Sequence, residues 1–520
     1  MDGQRAIFMA RTRNAIAFVV YGTLAALSIA AQSSSVAAQA REYHRANQHK
    51  IIRELTDLLS IPNMAADTEN IQRNAEKLRA ILEARGMRVR LLPIAGRGPV
   101  VFGELATPGA QRTVVFYCHY DGQPTDPARW TGTKPWEPAL RTGRHDQGAQ
   151  LISFPNAGTP YQDDWRIYAR SASDDKSPIV AILTALDALR ASRIPLSVNV
   201  KLILDGEEEA GSEHLEEILL AHRDLIQGDV LINADGPVHQ SGRPLIFFGN
   251  RGVTDLEITV YGPLRPLHSG HYGNWAPNPA MRLAQLLASM KDADGRVLVE
   301  GFYDDVLPLT ASEEKALEEM PSNDADVMRE LGLAGVDGGG KKLVELLNLP
   351  SLNIRGMRSG YVGAQSQNIV PTEATVSMDC RLVRNVTPEK TFARIVAHVR
   401  KQGYYVTDKE PTTEERARHP RIAKVTDGGG YPAARTPLNL PAAEALVRAV
   451  EAALGEPVVK MPTIGGSAPM YIFDQFQLPV IGLPIVNHDN NQHSENENLR
   501  LGNFWRGIEL FAAVLADLKW

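Results

Sequence analysis

The stretch "FYCHYDGQP", Phe116 to Pro124, sets His119 and Asp121 two residues apart, directly after the apolar run "RTVVF". Along a strand, side chains at i and i+2 share a face. Both side chains can therefore point into one cleft at the strand's end. An imidazole backed by a carboxylate is how proteins orient a metal-binding histidine. A polar Asp-Gly turn closing the strand is the simpler alternative. Further stretches bear on the choice. "ARSASDDKSP" carries Asp174 and Asp175, "LILDGEEEAGS" carries Glu207, Glu208 and Glu209, "LINADGP" carries Asp235, and "NNQHSENENL" supplies His493. Singly, each has an ordinary explanation: a helix N-cap, a solvated acidic loop, a turn, a surface histidine. Together they weigh more. Carboxylates gathered in one crevice repel unless a cation compensates them. Two imidazoles with three or four carboxylates suit a pair of divalent metal ions. Zinc is the natural choice for mixed nitrogen and oxygen ligands, and manganese or cobalt fit the same set.

These residues need elements that bring them together. Apolar spacing predicts helices over Glu42 to Ile61 and over "ENIQRNAEKLRAILEARG". "MRVRLLPI", "PVVFGEL", "TVVFYCHY", "LSVNVKLILDG" and "DVLINADG" read as strands, and "SPIVAILTALDALRAS" as a helix with Pro178 in its first turn. Strand and helix alternate, which predicts an α/β fold with a mainly parallel sheet between helices. In such sheets ligands bind beyond the carboxyl ends of the strands, where each acidic stretch falls. After about Arg251 the texture changes. "VTDLEITVYG" and "TEATVSMDCRLV" alternate like half-exposed strands, each followed by a helix, which suggests a smaller α+β domain. "AAEALVRAVEAALG", "LPVIGLPIV" and "FWRGIELFAAVLADL" then resume the first style. The expected division is a leader over 1–40, a catalytic domain over 41–250 and 427–520, and an inserted lid or dimerisation domain over 251–426. The Gly- and Pro-rich segment 137–164 is expected to loop around the mouth of the site.

The motifs "FYCHYDGQP", "YARSASDDKSP", "EEEAGS", "INADG" and "HSENE" occur in an order that resembles the carnosinase, glutamate carboxypeptidase and acetylornithine deacetylase family of di-zinc metallohydrolases. The resemblance runs from about Glu42 to the end. "HYDGQP", "GFYDDV" and "LHSGHYG" look most like the carnosinase-like dipeptidases. It implies that His119 and Asp235 bind one metal, that Glu209 and His493 bind the other, and that Asp174 bridges them. Asp121 would orient His119, and Glu208 would act as general base. "LRPLHSGHYGN" resembles a lid motif whose histidine, here His268, stabilises the oxyanion across a dimer. Asn368 and Arg381 resemble substrate-binding positions, and Gly466 and Ser467 of "TIGGSAPM" resemble a loop that receives the substrate carboxylate. Ser177 stands where the family mostly has glycine.

The remaining sequence bounds the setting. The 520 residues are 43% hydrophobic and 22% charged with net charge −6, so no basic footprint for nucleic acid exists. Arg5, Arg11 and Arg13 precede the apolar run Ala15 to Ala31 and the small-residue stretch "SSSVAAQA", the pattern of a signal peptide cleaved near Ala38 or Ala40. The mature protein is then periplasmic or secreted, and it meets a membrane only if that segment stays uncleaved. Cys118 and Cys380 sit in apolar runs and read as buried thiols. The expected activity is hydrolysis of dipeptides or short peptides with a free C-terminal carboxylate, by a homodimer joined through the inserted domain. An N-acyl amino-acid deacylase with the same metals is the alternative reaction. A metal-stabilised binding protein without turnover is the alternative outside enzymes, and Glu208 argues against it.

Overall fold

A computed structural model describes residues 36–520. The leader expected over 1–40 lies outside them, except for its last five residues. Those five open a helix over 36–59, in which Val36, Ala37 and Ala40 are buried. The chain divides into two units. The first is assembled from three segments ending at Ile246, Val459 and Trp520, and the second holds Phe247–Thr436 and Lys460–Val480.

The first unit is built on an eight-stranded sheet. Its order is Arg88–Leu92, Val100–Leu105, Asn199–Asp205, Thr113–His119, Val230–Asn233, Val480–Gly482, Leu245–Phe247 and Val459–Met461. Thr113–His119 runs parallel to both of its neighbours, while the first two strands pair antiparallel. A parallel sheet needs cover on both faces, and the flanking helices show it. Lys176–Ala191 is buried along nearly its whole length, as is Leu501–Asp517. The apolar run that predicted a central strand is buried from Val114 to His119. Cys118 and Cys380 are both buried free thiols.

The segment 137–164 differs from the expected loop. Ala139–Arg141 and Leu151–Ile152 join Arg166–Tyr168 and Asn498–Arg500 in a four-stranded sheet. Strands of two or three residues between Gly, Pro and turn residues leave no alternation long enough to read. They join through Arg166–Tyr168, whose other partner, Asn498–Arg500, lies over three hundred residues away in sequence.

The second unit has a five-stranded sheet in the order Ser351–Arg358, Glu373–Leu382, Gly252–Tyr261, Ile422–Tyr431, Tyr405–Thr407. Only the last pair is parallel. Leu283, Leu286 and Leu287 of the helix Pro279–Ala288 form one apolar stripe. Ile395 and Val399 form another on Pro388–Lys401. Both stripes share a core with Leu256, Ile258, Val376 and Met378 of the sheet. Asn278 and Thr387 cap these helices, each followed by proline at the first helical position. The sequence reading placed all of 427–520 with the first domain, whereas 427–436 and 460–480 belong to this unit. Main-chain bonds explain the difference: Phe248 N–H donates to Met461 O, Ile464 N–H to Gly249 O, and Arg251 N–H to Gly466 O.

Candidate metal centre

His119 is the last residue of its strand and is fully buried. Its Nε2 lies 2.8 Å from Asp174 Oδ1. Its Nδ1 lies 3.3 Å from the Asp121 main-chain oxygen and 3.4 Å from Asp121 Oδ1. The closer partners of the Asp121 carboxylate are the main-chain N–H groups of Glu208 (3.1 Å) and Glu209 (3.0 Å). Asp121 therefore fixes the acidic turn as well as facing the imidazole. That turn is a short 3-10 segment, Glu208–Ala210, following the strand Asn199–Asp205. Gly211 ends it in the left-handed region at φ 95°.

His493 arrives from the loop before Asn498–Arg500. Its Nε2 is 3.1 Å from Asp174 Oδ2 and 3.3 Å from Glu209 Oε2. Gln123 donates to the same Glu209 oxygen at 2.7 Å. Candidate ligand atoms of His119, Asp174 and Glu209 lie within 4.8 Å of one another, as do those of His119, Asp175 and Asp235. The structure thus brings together His119, Asp174, Glu209, Asp235 and His493. His119, Glu209 and Asp235 follow parallel strands of the large sheet, Asp174 precedes the helix Lys176–Ala191, and His493 comes from the loop before Asn498–Arg500.

Electrostatics record the crowding. Burial, then the charge of Asp174, pushes the Asp235 carboxyl up to about 6. The same two causes raise Glu209 to about 7. Burial also lifts Glu208 well above the usual range, reinforced by Asp235 and Glu209. Asp174 is the exception: burial opposes its charge, but hydrogen bonds from His119 and His493 hold it below the carboxylate range. His493 rises to about 9, chiefly through its bond to Asp174. The carboxylates thus raise one another's proton affinity, as like charges gathered in one buried place do.

In the second unit, His268 pairs with Ile369 across a two-residue ladder, and Ser269 N–H donates to Asn368 O at 2.9 Å. The exposed His268 ring accepts from Gly270 N–H through Nδ1, which leaves Nε2 to carry the proton in the neutral ring. Arg381 donates to Ser467 Oγ at 2.6 Å. Arg251 is buried in the same unit, with its guanidinium held by Leu349 O and Ser351 Oγ. Burial, then the charge of Arg381, pulls Arg251 down to about 10. Two neighbouring guanidiniums and a hydroxyl favour an anion.

Residues 115–517 match the model of peptidase family M20/M25/M40. The chain belongs to this family. It is 29% identical over 435 residues to the Beta-Ala-His dipeptidase of Homo sapiens, covering 81% of this chain and 77% of that protein. It is 24% identical over 426 residues to the Cys-Gly metallodipeptidase dug1 of Schizosaccharomyces pombe, covering 81% and 83%. An M20 family metallo-carboxypeptidase from Sulfolobus solfataricus superimposes with TM-score 0.73 at 28% identity, covering 90% of this chain and 99% of that one. Human carnosine dipeptidase 1 shares the fold, with TM-score 0.71 at 23% identity over 93% of this chain and 98% of that one.

Like its M20 relatives, this chain is a metallo-hydrolase acting on amide bonds. The residues present fit divalent cations on their own evidence. The donor set mixes imidazole and carboxylate. Asp175 Oδ1 is buried without a hydrogen-bond partner. The raised carboxyl groups need compensating charge. Sequence reasoning gave no role to Asp175, Gln123, Arg251 and Glu497. The first two stood in motifs already singled out, as neighbours of Asp174 and Asp121. Arg251 had no local signal, because its partners come from strands about a hundred residues on.

Proposed function

We propose that this chain is an exported metallodipeptidase that cuts dipeptides or short peptides bearing a free C-terminal carboxylate. The observation that carries the proposal is the convergence of His119, Asp174, Glu209 and His493 within hydrogen-bonding distance, with Glu208 next in sequence. His119, Asp174 and Asp235 would hold one cation, and Asp174, Glu209 and His493 the other. When bound, such ions, zinc first among them, lower the proton affinity of water and polarise a carbonyl. Glu208 takes the proton of the attacking water and returns it to the leaving amine. Burial raises its proton affinity, the direction that a group accepting and returning a proton requires. Arg381 and Ser467 would receive the substrate carboxylate, Gly466 and Asn368 would add contacts to the substrate, and His268 would donate to the developing oxyanion.

Export rests on the basic, apolar and small-residue order of the first forty residues. A homodimer would form through the edge strand Ser351–Arg358, which exposes Ile354 and Met357. An unpaired edge with apolar side chains invites a second strand. Mass measured in solution tests this, and a monomer at micromolar concentration refutes it. The activity is tested on the metal-loaded protein with dipeptides, C-terminally amidated dipeptides and N-acyl amino acids, with Glu208→Gln as control. Turnover of dipeptides alone supports the reading. Turnover of acyl amino acids alone shows a deacylase instead, and metal binding without turnover shows a binding protein.

A further inference from the structure

Glu497 lies four residues beyond His493 and is fully buried. Both of its carboxylate oxygens are occupied by the turn that carries Asp174. Oε1 accepts from Ser173 N–H (2.9 Å), Ser173 Oγ–H (2.9 Å) and Asp174 N–H (3.0 Å). Oε2 accepts from Ser171 N–H (2.9 Å) and from Arg170 Nη1 (2.9 Å). Ser171 adopts φ 62°, a left-handed conformation that helps the turn aim successive amides inward. Such a ring of converging amides is an anion nest. Here the anion belongs to the chain itself. The main chain adds a further tie, from Ala169 N–H to Glu497 O at 3.2 Å.

Nothing in the proposed reaction uses Glu497. No metal needs it, and Asp174 lies between it and the cluster. It does what neither ligand can do alone: it joins two loops over three hundred residues apart in sequence. One loop carries Asp174 and the other carries His493. We propose that Glu497 is a positioning residue that sets the distance between these two metal ligands, and so sets the affinity of the centre. The inference rests on the metal-centre reading above. A buried carboxylate with five donors tolerates no neutral substitute well. An amide at this position turns one acceptor into a donor against the nest. Each tightened hydrogen bond to a charged group also restricts the turn more than a neutral one.

The test uses the full chain with Glu497→Gln, Glu497→Asp and Ser173→Ala, measured by metal stoichiometry and by chelator competition. Partners that orient metal ligands typically contribute 10–100-fold in affinity. The expected result is a loss of ~10-fold or more in metal affinity for Glu497→Gln. Ser173→Ala, which removes one donor and no ligand, shows a smaller loss in the same direction. Saturating metal restores kcat in Glu497→Gln with KM unchanged, whereas Glu208→Gln is not rescued by metal. Unchanged metal affinity in both Glu497→Gln and Ser173→Ala overturns the proposal. If Glu497→Gln fails to fold, Ser173→Ala and Glu497→Asp decide it by the same readout. A wild-type protein that binds no divalent ion removes the metal centre itself. Equal binding by wild type and variants removes only the role of Glu497.

Discussion

The carboxylate of Asp121 accepts the main-chain N–H of Glu208 at 3.1 Å while lying 3.4 Å from the ring of His119. One side chain thereby links the end of the central strand to the acidic turn. The arrangement separates two kinds of substitution. Glu208→Gln removes a proton acceptor that is not a proposed ligand. It is expected to lower kcat by ~10²–10⁴-fold while metal stoichiometry stays at the wild-type value. Asp121→Asn places an amide against two N–H donors and a histidine. It is expected to lower both metal affinity and kcat. Steady-state kinetics beside elemental analysis distinguish the two, and metal loss in Glu208→Gln would make that residue a ligand.

Metal binding should be strongly pH-dependent. In the metal-free protein Glu209 lies at about 7, Asp235 at about 6 and His493 at about 9. Cations displace those protons. Apparent affinity is therefore expected to rise with pH from about 5.5 to 8, and binding at pH 7 should release protons. Calorimetry in buffers of different ionisation enthalpy measures the release. No net release would mean the ions bind elsewhere.

The catalytic sheet was legible because its signals are local. Thr113–His119 is a continuous apolar run, and its chemistry sits on the residues just past it. Asp174, the Glu208–Glu209 pair and Asp235 were legible for the same reason. Asp174 stands just before a helix and the others just past a strand, each beside an element whose period could be read. What stayed hidden depends on long-range contact. Within 137–164, Leu151–Ile152 pairs with Ala139–Arg141, which pairs with Arg166–Tyr168, which in turn pairs with Asn498–Arg500. The placement of 460–480 rests on main-chain bonds to 248–251, which no pattern in either segment announces. Glu497 looked like one more polar residue in "HSENE" until the turn at 171–174 closed around it.

Acid stability provides a test away from the centre. Asp489 accepts from Arg166 Nη2 (2.8 Å) and Asn487 Nδ2 (3.0 Å). Burial opposes its charge, yet these partners hold it at about 2, below the ordinary 3.8. A carboxyl group lowered on folding stabilises the protein above its unfolded value. That contribution fades as pH falls from about 4 through 2. The side chain is 35% exposed, so the pair is worth at most about 1 kcal/mol. Asp489→Asn is expected to lower Tm by about 1–2 °C at pH 7. The difference from wild type should shrink toward pH 2. A gap that widens on acidification would contradict the assigned partners.

Arg381 makes the sharpest claim about substrate. Its guanidinium holds Ser467 Oγ at 2.6 Å, and the buried Arg251 adds a neighbouring positive charge. Bonds to charged groups are worth about 1.5–3 kcal/mol, which corresponds to ~10–100-fold. Arg381→Met is therefore expected to reduce kcat/KM by ~10–100-fold on dipeptides with a free carboxylate. The loss should appear mainly in KM, because the carboxylate is bound alike before and during reaction. C-terminally amidated dipeptides lack the charge that Arg381 is proposed to meet. They should be poor substrates of the wild type and should lose little more in the variant. If the substitution slows both classes equally, Arg381 supports the fold of its sheet rather than reading the substrate's terminus.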